Sequence, residues 1–117
     1  MDILETVFKL QKELATITSA RYPQEKEERI SVLATAIVHE AVEVQRLTNW
    51  KWWKKPAKFD EVQARKEVID LWYFLIQMAI ELGMTPIEIL DEYLRKDQMK
   101  KGKKIGISLF TGGYNNK

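Results

Sequence analysis

Lys66–Ile80 reads KEVIDLWYFLIQMAI, and from Val68 onward only Asp70 and Gln77 are strongly polar. Fifteen residues without glycine or proline, apolar on nearly every side, predict a helix buried in a core. A carboxylate inside such a helix is costly unless it is paired or bound to a metal ion. Asp70 is not alone, because Glu67 stands three residues before it and shares its side of the helix. A second pair at the same spacing, Glu40 and Glu43, lies in VHEAVEV. Glu40 falls on the stripe made by Leu33, Ile37, Val44 and Leu47, a place where the pattern asks for an apolar side chain. Four acids set this way resist being brought together without a cation, and a hard divalent ion, Mg²⁺ or Mn²⁺, suits an all-oxygen donor set.

The pattern around these two segments is helical throughout. A first helix is expected from about residue 2 to 20, with Ile3, Val7, Leu10, Leu14 and Ile17 on one face, ended by Tyr22-Pro23. A second is expected from about 28 to 48. The stretch NWKWWKKPAKF (49–59) interrupts the periodicity, with Pro56 as its punctuation. Asp60 is placed to cap the third helix, which Gly83 closes. Thr85, Pro86 and Glu88 form a capping-box signature for a fourth helix carrying Ile87, Leu90 and Leu94. The tail GISLFTGGYNNK suggests a short strand, an arm or an irregular end. The expected fold is all-α, a four-helix bundle forming one domain over 1–104, with 105–117 as a short irregular tail.

Composition narrows the function classes. The chain has 117 residues, 45% hydrophobic and 31% charged, as expected of one helix-rich globular domain. A net charge of +2 does not announce a nucleic-acid or membrane partner, although Lys96–Lys104 holds five lysines against one acid. Cysteine is absent, which removes disulfides, thiol nucleophiles and thiolate metal sites and fits a reducing, cytoplasmic setting. The start MDILETVFKL lacks the basic and apolar regions of a secretory signal, and no apolar run is long enough for a membrane span. His39 is the only histidine, so a histidine-rich di-iron site is unsupported, and no glycine loop cradles phosphate.

Two Glu-x-x-Glu/Asp motifs on antiparallel helices can face each other across a bundle and hold Mg²⁺ with open coordination positions. Such an ion neutralises a polyphosphate, polarises the attacked phosphorus and lowers the pKa of a water nucleophile, while a spare carboxylate accepts the proton.

These residues resemble the all-α nucleoside triphosphate pyrophosphatases, which include MazG-type enzymes, dimeric dUTPases and related phage dCTPases. The likeness rests on HEAVEV, NWKWWKK, KEVIDLWYFLIQMAIELGM and EILDEYLRKD, covering roughly residues 30–97. It is nearest to the dimeric dUTPase branch. The resemblance implies Mg²⁺-dependent cleavage of a nucleoside triphosphate, a pyrimidine deoxynucleotide above all, to monophosphate and pyrophosphate. It implies metal ligation by Glu40, Glu43, Glu67 and Asp70, with Glu43, alongside Glu40, orienting or deprotonating the water. Trp50, Trp53 and Lys54 become candidates for base and phosphate contacts, and Lys96 for a phosphate contact. Gln11, in LQKELA, stands where the branch reads the pyrimidine, with Ala15 where an asparagine is expected. In the C-terminal phosphate motif Asp97 and Lys100 replace asparagines, and Lys103-Lys104 stand near the place of an arginine-glutamine pair. A homodimer or dimer of dimers is expected from Trp72, Tyr73, Phe74 and the tryptophan segment, more apolar surface than one such chain can hide. The competing readings are a MazG-type enzyme of broader specificity and a helical single-strand nucleic-acid binder built on WKWWKKPAK.

Overall fold

The computed structural model describes residues 2–18 and 21–110, the side chains of 17–18 and 103–110 excepted. It contains four helices and, among the described residues, no strand: α1 (Ile3–Thr18), α2 (Lys26–Gln45), α3 (Glu61–Glu81) and α4 (Pro86–Phe110). The all-α expectation therefore holds. The helices fall into two compact units, 1–83 with α1 to α3 and 84–117 with α4.

Local chemistry accounts for each start. Asp2 and Glu5 exchange hydrogen bonds, the Glu5 backbone N–H donating to Asp2 at 2.8 Å and the Asp2 N–H to Glu5 at 3.1 Å. This reciprocal cap satisfies two donors that the first turn of α1 would otherwise leave unpaired. Asp60 caps α3 as its position suggests, accepting from the Gln63 N–H at 3.0 Å. The box at α4 also forms: the Thr85 N–H donates to Glu88 at 2.9 Å and the Glu88 N–H to the Thr85 hydroxyl at 3.2 Å. Gly83 ends the α3 segment at φ +74, a left-handed conformation that glycine adopts without steric cost.

In the first unit α3 is central and packs against both α2 and α1. Phe8 from α1, Leu33 from α2 and Ala64 and Ile76 from α3 form the buried apolar core. The remaining faces of α3 stay open. Ile69, Trp72, Tyr73 and Leu75 are each about half exposed, so the expectation that this helix is sunk on all sides is corrected. Two packed neighbours can cover only two faces of a helix that is apolar nearly all round.

Two boundaries also shift. α2 stops at Gln45, and 46–48 form a turn held by Leu47 and Thr48 N–H donations to the Val44 and Gln45 carbonyls. α4 runs on to Phe110, into the stretch expected to be irregular, and 111–117 lie outside the described residues.

Candidate metal and nucleotide site

Carboxylate oxygens of Glu40, Glu67 and Asp70 lie within 4.8 Å of one another, a spacing that a single cation can bridge. The cluster forms because α2 and α3 pack together, α2 contributing Glu40 and α3 contributing Glu67 and Asp70, which share a helix side at three-residue spacing. All three residues are partly buried, not enclosed as the sequence suggested. Water therefore has access, as an ion that must admit a substrate oxygen requires.

Electrostatics marks the cluster as unfinished. Partial burial raises the Glu40 carboxyl above its ordinary 4.5, and the charges of Asp70 and Glu67 push the same way. The nearby Glu67 carboxyl and, more weakly, the charge of Glu43 raise it further. Like charges gathered without a counter-ion favour the protonated form. A carboxyl whose pKa is higher folded than unfolded binds more protons in the folded state, so the strain appears as pH rises. The expected outcome is a metal-free protein whose melting temperature falls as pH climbs from 4.5 through the raised value, a fall that millimolar Mg²⁺ reverses. Melts across pH 4–7 with and without Mg²⁺ check it.

Glu43 stands one turn beyond Glu40 on α2 but outside the three-residue cluster. Its carboxylate is 3.7 Å from Arg46 and partly exposed. Gln63, which the sequence did not single out, donates from Nε2 to Glu67 at 2.8 Å. The i, i+4 spacing was the available signal, and the contact orients a carboxylate of the cluster.

The tryptophan segment is a closed loop. Asn49 donates from Nδ2 to the Ala57 carbonyl at 3.0 Å and accepts the Ala57 N–H at 2.8 Å, pinning both ends. Trp53 meets Trp50 and Trp52 edge to face, with centroids 6.0 and 5.7 Å apart, and the Lys51 ammonium sits 5.4 Å over the Trp50 ring. Trp50, Trp53 and Lys54 are all exposed, leaving rings and charge free to meet a ligand. Gln11 is buried on α1, where its Nε2 donates to the Gln77 carbonyl at 3.0 Å. Lys96 is exposed on α4, in the second unit.

Three carboxylates on packed helices, a carboxamide bracing one of them and an aromatic-lysine loop between those helices make up the site. The chain belongs to the dUTPase family, whose model matches residues 3–111, nearly its whole length. At family level it is a dUTPase-like nucleotide pyrophosphatase. No curated protein and no solved structure gives a significant match. No single helix among the described residues is long and apolar enough to cross a membrane.

Proposed function

We propose that the protein is a Mg²⁺-dependent pyrophosphohydrolase that converts dUTP, or another pyrimidine deoxynucleoside triphosphate, to the monophosphate and pyrophosphate. The observation that carries this reading is the convergence of Glu40, Glu67 and Asp70 within 4.8 Å. A donor set of carboxylates alone, with no sulfur or imidazole among them, fits a hard cation, with Mn²⁺ as a substitute. Glu40, Glu67 and Asp70 would hold it, and Glu43, one turn along α2, completes the set. Bound there, the ion supplies charge neutralisation at the phosphates and activation of a water.

The chain's own residues do the rest. Glu43 is a partly exposed carboxylate one turn from Glu40 on α2, and it orients the attacking water and takes its proton, with Glu40 beside it. Gln63 holds Glu67 in place. Trp50 and Trp53 give apolar faces for the base, Gln11 contacts its edge, and Lys54 and Lys96 meet the phosphates as point charges. The removal of a non-standard nucleotide from the cytoplasmic pool is the role this chemistry serves.

The same reading includes a homodimer or a dimer of dimers. Ile3, Leu10, Ile69, Trp72 and Tyr73 leave a broad apolar face on α1 and α3, beside a groove of about 760 Å³. Monomeric soluble proteins rarely leave such a patch uncovered. Light scattering at micromolar concentration should give at least twice the chain mass of 13.8 kDa, and a monomeric mass would refute the assembly.

Activity is tested by pyrophosphate release from dUTP, dCTP, UTP, CTP and the purine triphosphates, with and without Mg²⁺. Metal-dependent turnover led by one pyrimidine deoxynucleotide is expected. Comparable turnover of all substrates would replace this reading with a MazG-type broad specificity, and none at all would overturn it.

A further inference from the structure

A chain of side chains in the first unit has a fixed direction. Arg29 donates from Nε to Glu81 Oε1 at 2.7 Å, and its Nη1 donates to the Pro23 and Gln24 carbonyls at 3.2 and 2.5 Å. Gln77 donates from Nε2 to Glu81 Oε2 at 2.9 Å, and Gln11 donates from Nε2 to Gln77 Oε1 at 3.0 Å. Nothing in this order depends on seeing hydrogen atoms. A guanidinium can only donate, and the carboxylate paired with it accepts on both oxygens. Gln77 must then turn its amide nitrogen to Glu81, which leaves its carbonyl for Gln11. Gln11 must in turn spend its nitrogen on Gln77. The usual ambiguity between the two ends of a carboxamide is thereby removed.

The consequence falls at the free end. Gln11 lines a cavity of about 340 Å³ together with Leu14, Tyr22, Tyr73, Phe74 and Gln77. Both glutamines are buried, so neither can exchange partners with bulk water at no cost. With one Nε2 hydrogen committed to Gln77, the Gln11 carboxamide is held in one orientation and offers a ligand its carbonyl oxygen and its second N–H from fixed places. The cavity walls are aromatic and aliphatic, which suits a flat ring.

We infer that Arg29, Glu81 and Gln77 are positioning residues that lock the orientation of the Gln11 carboxamide, so that the cavity selects a heterocyclic base by the donor and acceptor pattern at its edge. This rests on the reading of Gln11 as a base contact and adds what fixes its polarity. Uracil and cytosine are the informative pair, because they match in size and reverse donor and acceptor at both N3 and position 4. A carboxamide held in one orientation meets a given edge atom with one polarity, oxygen or N–H, and so must tell them apart. A carboxamide free to turn over cannot.

The test is calorimetric binding of dUMP and dCMP to the full chain without metal, so that it does not depend on hydrolysis. The wild type should prefer one of the two by at least about tenfold, the equivalent of about 1.4 kcal/mol. Glu81→Gln replaces an obligate acceptor with a group that can donate or accept, and it should cut the preference to about twofold. Gln77→Met severs the chain at its middle and should do the same if Glu81→Gln fails to fold. Equal affinity for the two nucleotides in the wild type, binding of neither, or an unchanged ratio in the folded variants would overturn the inference. If base preference follows the relay but no triphosphate is hydrolysed with Mg²⁺, the pyrophosphatase reading fails and the relay stands.

Discussion

Asp70→Asn should reduce pyrophosphate release by more than a hundredfold while leaving a folded helical protein that melts at a higher temperature when metal-free. The two halves of this expectation come from the same geometry. Asp70 shares a 4.8 Å cluster with Glu40 and Glu67, and its charge is the second-largest cause of the raised Glu40 carboxyl, after partial burial. Removing one charge relieves repulsion in the empty cluster and removes a ligand from the loaded one. Loss of a mere outer-sphere partner at a metal site costs about 10–100-fold, so loss of a ligand should exceed that. Glu43→Gln should also abolish turnover, through the water whose proton Glu43 takes as well as through its weakened hold on the ion. Steady-state assays, circular dichroism and melts separate these outcomes. Retained turnover in either variant would count against the assignment of roles.

Phe8→Ala should cost roughly 3–5 kcal/mol, the usual range for truncating a buried phenylalanine. Phe8 is 3% exposed, and among the described residues the buried apolar core of the first unit holds Leu33, Ala64 and Ile76 besides it. A core that small has little capacity to repack around the void. Against a typical stability of about 5–15 kcal/mol, the loss should lower the melting temperature steeply or leave the chain partly unfolded at 37 °C. Chemical denaturation read by tryptophan fluorescence checks it. A loss under 1 kcal/mol would mean that α1 is held chiefly by something other than Phe8.

Much of this arrangement was legible before any coordinates. Asp60, Gly83 and the Thr85–Glu88 box fixed three helix ends because capping is local and depends on a handful of adjacent residues. The approach of Glu40 to Glu67 and Asp70 was readable, because a three-residue spacing determines the helix side and two helices that each need to bury a stripe will pack together, whereas Glu43 stays outside that group. Burial was less legible. VIDLWYFLIQMAI looks like an enclosed segment, yet Ile69, Trp72 and Tyr73 remain half exposed, since a sequence records which faces want covering and not what covers them. The role of Gln77 was hidden for another reason. It was visible as an oddity in an apolar run, but its partners Gln11 and Glu81 lie on α1 and a turn further along α3. Arg29, from α2, completes a relay that no spacing rule connects.

The metal cluster carries the whole functional account, and Mn²⁺ binding tests it most directly. The free-ion electron paramagnetic resonance signal should fall as wild-type protein is added with a non-hydrolysable α,β-imido-dUTP, and Mg²⁺ should restore it by competition. The same titration with Glu40, Glu67 and Asp70 replaced together by their amides should show no protein-dependent loss of signal. Equal Mn²⁺ uptake by the two proteins would contradict the account, because the ion would then be held somewhere other than between α2 and α3.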